Sequence, residues 1–362
     1  MANTSPNRRY ERIVRSFLDE PWAIQPSKLE AIADFIFLKA SGGTLSETEI
    51  AALRAAAPPP AGGMTDGAVA VLPIFGVLRN RANLLTDISG GTSVEMLSRQ
   101  FASLVDDPRI SAIVLDIDSP GGSVSGIPEF AAQIHTARAV KPVVAVANTL
   151  AASAAYWLGA AASEFVAAPS AMVGSVGALM VHEDQSAADE KDGRKVTFIS
   201  AGEFKTEGNP HEPLGDDARA ALQSLVDDAY AQFTGDVARF RGVSLEAVQG
   251  KPYGAGRVLT ARNALASGMV DRVEVIDAAV HRMMSPDGRA QLMRSSRRAV
   301  SEYDAPHAGP DVDQLRIAAR LDAIEARLSV SESTSEPEAA GLEAIDIEAI
   351  AAAFGEHLKE RQ

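Results

Sequence analysis

From Pro142 to Ser163 the chain carries no charged residue, a run long enough to cross a bilayer. Its content does not suit that role. Alanine dominates and Asn148, Thr149 and Ser153 sit in the middle, where a membrane span would carry Leu, Ile, Phe and Val. The run therefore reads as a buried strand, Val143–Val146, followed by a buried helix, Ala151–Ala162. A strand this apolar must be covered on both faces, as parallel strands with crossover helices are. The same signal recurs at Val69–Ile74, Ile113–Ile117, Glu164–Ala168 and Val196–Ile199, with helical spacing between strands at Val94–Val105 and Ile127–Val140. This alternation predicts βαβ units and an α/β fold. A long helix from Leu214 to about Arg241, a helix over Ala261–Gly268 and a strand over Arg272–Ile276 complete the pattern.

Around this unit the composition shifts. Residues 1–57 read as a helical N-terminal segment, with Leu29, Ile32, Ala33, Ile36 and Phe37 on one face and a second short helix over Ser46–Ala57. Pro58–Gly63 begins a Pro/Gly linker over 58–66, and the main domain spans 67–284. Residues 285–312 are rich in Ser, Arg, Pro, Asp and Gly and predict a flexible linker. Residues 313–362 form an acidic helical tail in which Ile317, Leu321, Ile324 and Leu328 repeat at heptad-like spacing, suited to self-association or a partner.

A net charge of −14 argues against nucleic acid as a partner. The absence of cysteine excludes disulfides and thiol catalysis and fits a reducing compartment. No His/Asp/Glu set has metal-ligand spacing, so no metal or organic cofactor is expected. The expectation is a protein that works without a membrane.

Three local patterns carry chemistry. Asp118-Ser119-Pro120-Gly121-Gly122 follows the strand ending at Ile117. Its glycines let backbone N–H groups approach developing negative charge, although a plain turn uses the same residues. In Asn148–Trp157, Ser153 stands among alanines at a helix start, where small neighbours and the helix dipole favour a nucleophile; packing explains it as well. In Ser200–Pro210, Lys205 sits in a Gly-bounded loop, ordinarily a solvated charge. To act as a base it must lose its proton at working pH, which needs burial or a nearby cation.

Together with Ile113–Ile117 and Val173-Gly174-Ser175-Val176-Gly177, these patterns stand in one order, with Lys205 fifty-two residues after Ser153. The set resembles the signal-peptide-peptidase A (protease IV) family of Ser–Lys peptidases over about residues 67–280. The resemblance implies a Clp/crotonase-like ββα superhelical core, Ser153 as nucleophile and Lys205 as general base. It implies an oxyanion hole from the backbone N–H groups of Gly121, Gly122 and Ala154. Many members carry Gly-Gly-Tyr after the nucleophile, where this chain has Ala154-Ala155-Tyr156. That leaves the N–H of Ala154 in place but alters the adjacent pocket. His182 and His211 are rival bases, since the related Clp protease uses a Ser–His–Asp triad; the Gly-Glu-Phe-Lys-x-x-Gly-Asn-Pro pattern favours lysine.

The helical N-terminal segment stands where bacterial members have a membrane anchor, and the tail is acidic. This combination resembles the head-maturation proteases of tailed bacteriophages. It implies protein substrates such as capsid scaffold, portal or head proteins, and self-cleavage near 285–312. It also implies a homo-oligomer whose dyad is shared between subunits, in the host cytoplasm or within procapsids. Two alternatives stand beside it: a housekeeping peptidase for signal peptides or short peptides, and a catalytically inactive assembly scaffold. A crotonase-type acyl-CoA enzyme would share the fold without needing the Ser–Lys pair.

Overall fold

The structure is a computed structural model that describes residues 20–26, 28–29, 64–66, 69–81 and 91–294. Its first elements are β1 (Trp22–Ile24), β2 (Met64–Asp66), β3 (Val69–Phe75), β4 (Leu78–Arg79), β5 (Thr92–Ser93) and α1 (Val94–Asp106). β6 (Ala112–Ser119), β7 (Gly121–Ser123) and α2 (Ile127–Ala137) follow, then β8 (Val143–Ala152) and α3 (Ala154–Ala160). β9 (Glu164–Ala167), β10 (Met172–Gly174), α4 (Ser186–Lys191), α5 (Asp216–Arg241) and α6 (Leu245–Gln249) come next. A 3-10 turn (Lys251–Gly256), β11 (Val258–Thr260), α7 (Ala261–Ala266), β12 (Arg272–Val273) and α8 (Ile276–Met284) complete the set.

Two units repeat a long strand, a short strand and a helix: β3–β4 leading to α1, and β6–β7 leading to α2. The long strands join one sheet in the order β11-β10-β8-β6-β3-β2, and the short ones a second sheet, β1-β7-β4-β5. β3, β6 and β8 are parallel, with Val71 beside Val114 and Val114 beside Val144. β8 changes partner along its length: Val144–Ala147 pairs with β9, and Leu150–Ala152 with β10. That change brings the end of β8 between Ser119 of β6 and Gly174 of β10.

Strand alternation sends Leu72, Ile74, Ile113, Leu115, Ile117, Ala145 and Ala147 into the core under the helices. The opposite residues, Val69, Ala112, Val114, Val144, Val146 and Val166, meet Ala279 and Met283 of α8. Glu164 fixes α8 to that face, accepting from Arg272 at 3.2 Å and pairing with Arg282 at 2.6 Å. The uncharged run from Pro142 is β8, buried except around Asn148–Leu150, and the buried α3, and no described helix is long and apolar enough to cross a membrane.

Four expectations change. Val196–Ile199 is not a strand: it has no regular structure and stands exposed, because no strand edge pairs with it among the described residues. β8 extends through Ala152, so the following helix starts at Ala154 rather than Ala151. The strand at Arg272 ends at Val273, and Ile276 opens α8. Helical residues continue over 286–294 and Leu292 packs beside Val166 and Met283, so the ordered core passes beyond residue 284. The helices expected over residues 29–37 and 46–57, the linker at 58–63 and the segments after 294 lie outside the described residues, apart from Leu29 itself.

On β6, burial pushes the Asp116 carboxyl up to about 6, with nearby Asp118 acting the same way and the Asn148 amide, 3.3 Å away, opposing. An acid whose folded pKa is raised stabilises the protein only while protonated, so this contribution fades as pH rises from about 4 through about 6. Asp116→Asn is expected to raise stability at pH 8 by roughly 1 kcal/mol after allowance for solvent screening. The gain should vanish near pH 4 when melting curves of both proteins are compared.

Candidate active site

Ser153 is the hinge between β8 and α3. Its backbone lies at φ 57°, ψ −120°, a region an L-residue enters only at a cost of about 1–3 kcal/mol and keeps only when its surroundings impose it. Here they do. β8 ends between two parallel neighbours, and the Ser153 N–H donates to Gly174 O at 2.7 Å. Behind it, α3 is fixed from one side: Tyr156 Oη donates to Met269 O at 3.0 Å, and Trp157 Nε1 donates to Asp236 Oδ2 at 3.0 Å. The Trp157 indole also stacks on Phe233 of α5, with ring centroids 4.5 Å apart. A strained serine at a sharp strand-to-helix turn projects its hydroxyl beyond the sheet while leaving helix N–H groups behind it. The Ser153 hydroxyl faces Gly177 O at 3.4 Å, and the residue is 1% exposed. Trp157→Ala is expected to cost about 3–5 kcal/mol of stability, read by denaturant unfolding, because it empties this buried stack.

The two glycines of the Ser119–Gly122 turn are not interchangeable. Gly121 has φ 99°, and a Cβ there would lie 2.9 Å from Ala152 O and 3.0 Å from Ser153 Cβ. A Cβ on Gly122 would run into the Leu78 backbone. Both positions need glycine for close approach, and Gly121 is thereby placed against Ser153. The Gly121 N–H is already engaged by Ser119 Oγ at 3.2 Å, while Ser119 Oγ donates to Gly76 O at 2.7 Å. Rather than a bare turn before a helix, Gly121–Ser123 forms β7, paired on one side with β1 and on the other with β4. Ala154 opens α3, where helix N–H groups lack partners within the helix.

Lys205 stands apart. It is exposed, and its side chain makes no hydrogen bond or ion pair among the described residues, so the structure does not join it to Ser153. Its loop is shaped by Asn209, whose amide donates to Thr206 O at 2.8 Å and whose Oδ1 accepts the His211 N–H at 2.9 Å. Phe198, Ile199 and Phe204, in the same stretch of chain, are 49%, 99% and 58% exposed. Neither histidine meets Ser153. His211 Nδ1 is committed to Asp189 Oδ2 at 2.5 Å. His182 lines a cavity of about 440 Å³ with Met180, Asp184 and Arg219, on the flank of α5. Among the described residues no His, Asp or Glu cluster has the makings of a metal site.

Sequence reasoning gave no role to Ser119 or Gly177, and it placed Trp22–Ile24 in a helical segment where the structure has the strand β1. Ser119 and Gly177 lie inside quoted motifs, but their contacts come from strand ends that meet only in the folded sheet. β1 is three residues between two prolines, too short for periodicity to register.

The strained Ser153 at the strand-to-helix turn, with Gly121 packed against it, is the candidate site of this α/β core. Residues 135–289 match the family profile of peptidase family S49. Among its relatives, the capsid assembly protease C of Escherichia phage lambda is 35% identical over 57% of this chain and 46% of its own length. The head-tail preconnector protein GP5 of Enterobacteria phage P21 is 32% identical over 58% of this chain and 41% of its own. This chain thus spans less than half the length of these two curated relatives. Among solved structures, the 1510-N membrane-bound stomatin-specific protease matches 60% of this chain and 85% of its own, at 14% identity and a TM-score of 0.39. The α/β assignment rests on the strand topology itself.

Proposed function

We propose that the chain is a serine endopeptidase in which Ser153 attacks the peptide carbonyl and Lys205 takes its proton. The N–H groups of Gly122 and Ala154, with Gly121 holding the approach, receive the oxyanion. The observation that carries this reading is the imposed backbone of Ser153, with Gly121 packed against it. Strain of this kind is retained where a nucleophile must be presented. The S49 profile and the two phage relatives support the same chemistry.

The reading also covers assembly. Lys205 within one chain stands in solvent, away from Ser153. Phe198, Ile199 and Phe204, in the same stretch of chain, are exposed apolar side chains that a second copy of the chain would cover. Covering them would take Lys205 out of solvent, so that a Ser153 from one subunit and a Lys205 from another form the dyad. Activity would then follow assembly, which suits a maturation protease that cleaves scaffold, portal or head proteins, and itself, within procapsids. Co-expression with a phage scaffold protein tests the role: the intact protein should shorten the scaffold, and Ser153→Ala should leave it full length. A scaffold left whole by both proteins would remove the maturation role.

A further inference from the structure

β1 takes no part in the chemistry proposed above, yet it lies directly on the site. It enters the small sheet antiparallel to β7, with Trp22 opposite Ser123, Ala23 opposite Gly122 and Ile24 opposite Gly121. At the two ends of this ladder, Val124 N donates to Pro21 O at 3.2 Å and Gln25 N donates to Pro120 O at 2.9 Å. Bonded and non-bonded pairs alternate along an antiparallel ladder. Ala23 and Gly122 are therefore the bonded pair between them, and the Gly122 N–H meets the Ala23 carbonyl. That carbonyl oxygen also crowds the point a Cβ on Gly121 would occupy, a point 3.0 Å from Ser153 Cβ. On its other edge β1 is bonded again: Trp22 N donates to Leu179 O at 2.8 Å, and Leu179 N donates to Trp22 O at 2.9 Å. Leu179 lies two residues after Gly177, whose carbonyl faces the Ser153 hydroxyl.

A peptidase receives its substrate as an extended strand hydrogen-bonded to exposed strand edges, with the carbonyl to be attacked beside the nucleophile. The edges available at Ser153 are β7 and the segment through Leu179, and β1 fills the space between them. We propose that Pro21–Ile24 is a resident strand occupying in cis the cleft that takes a peptide substrate, with the Ala23 carbonyl in the place of the carbonyl to be cut. The proposal rests on Ser153 being a peptidase nucleophile. It follows that a substrate acting in trans must displace this strand, and that the cleft prefers alanine just before the cut and a large apolar residue before that.

The side chains hold the strand in place. Trp22, Ala23 and Ile24 are all buried. Arg79 stacks over the Trp22 ring at 4.8 Å and pairs with Glu20 at 2.6 Å, and Glu20 also accepts from Ser123 Oγ at 2.6 Å. Glu20 thus ties the segment before β1 to both β4 and β7.

A peptide aldehyde, acetyl-Pro-Trp-Ala-aldehyde, tests this on the full chain by hydrogen–deuterium exchange. The aldehyde is expected to inhibit turnover and to raise amide exchange over Trp22–Gln25 by about tenfold or more, while β6 keeps its protection. Inhibition with unchanged exchange at Trp22–Gln25 would overturn the proposal, because the cleft would then lie elsewhere. If no peptide is turned over in a Ser153-dependent way, the peptidase reading fails and the resident strand fails with it. Glu20→Gln gives a second readout. Loosening the strand should lower KM for Pro-Trp-Ala-aminocoumarin about tenfold, since apparent affinity scales with the fraction of open cleft. An unchanged or higher KM in a Glu20→Gln protein that melts like the parent would contradict it.

Discussion

Ser153→Ala is expected to remove peptide-bond hydrolysis by a factor of about 10⁴ or more, since loss of the nucleophile leaves only binding and oxyanion stabilisation. The fold should hardly notice. The substitution deletes one weak hydroxyl contact, to Gly177 O at 3.4 Å, and keeps the main-chain bond to Gly174. The φ of 57° strains Ala as it strains Ser. Ser153→Gly should therefore be inactive yet more stable than Ser153→Ala, by about 1 kcal/mol, because glycine adopts that backbone freely. Peptide turnover and thermal melting of the three proteins check both halves. A stable serine variant without activity is the signature of strain kept for chemistry, whereas a packing serine would show the opposite order.

The second large effect is at Lys205. Lys205→Ala should abolish turnover as completely as Ser153→Ala, with little effect on stability, because the side chain is exposed and unpaired among the described residues. His211→Ala should cost stability through loss of the pair with buried Asp189 but keep measurable activity, and His182→Ala should keep it too. Mixing the two inactive proteins, Ser153→Ala and Lys205→Ala, carries the assembly argument further. If the dyad is shared between subunits, the mixture recovers part of the wild-type turnover. Recovery of none, in a mixture that forms mixed oligomers, would place both residues within one chain.

The parallel strands could be read from sequence because their burial leaves a one-dimensional trace: Val143–Val146 is apolar without interruption, Ile113–Ile117 is broken only by Asp116, and both are core strands in the fold. Val196–Ile199 bears the same apolar, β-branched trace, yet it is exposed and unpaired. Composition reports a preference for pairing, and the partner must come from elsewhere. Ser153 could be picked out by its small neighbours and its place in the motif order. Its φ could not, since that value is set by where β8 exchanges β9 for β10, a tertiary event. The glycine pair was legible as a close approach, but not that Gly121 meets Ser153 while Gly122 abuts Leu78 of β4. Pro21–Ile24 left no periodic signal at all, and its meaning lies in pairing with residues about a hundred positions away.

The central claim, a nucleophilic Ser153 activated by Lys205, is tested most directly by reacting the full chain with an organophosphonate and mapping the adduct by peptide mass. The account predicts one adduct, on the peptide containing Ser153, at a rate reduced at least about a hundredfold in Lys205→Ala. An adduct on another residue, or labelling of Ser153 at an unchanged rate in Lys205→Ala, would contradict it.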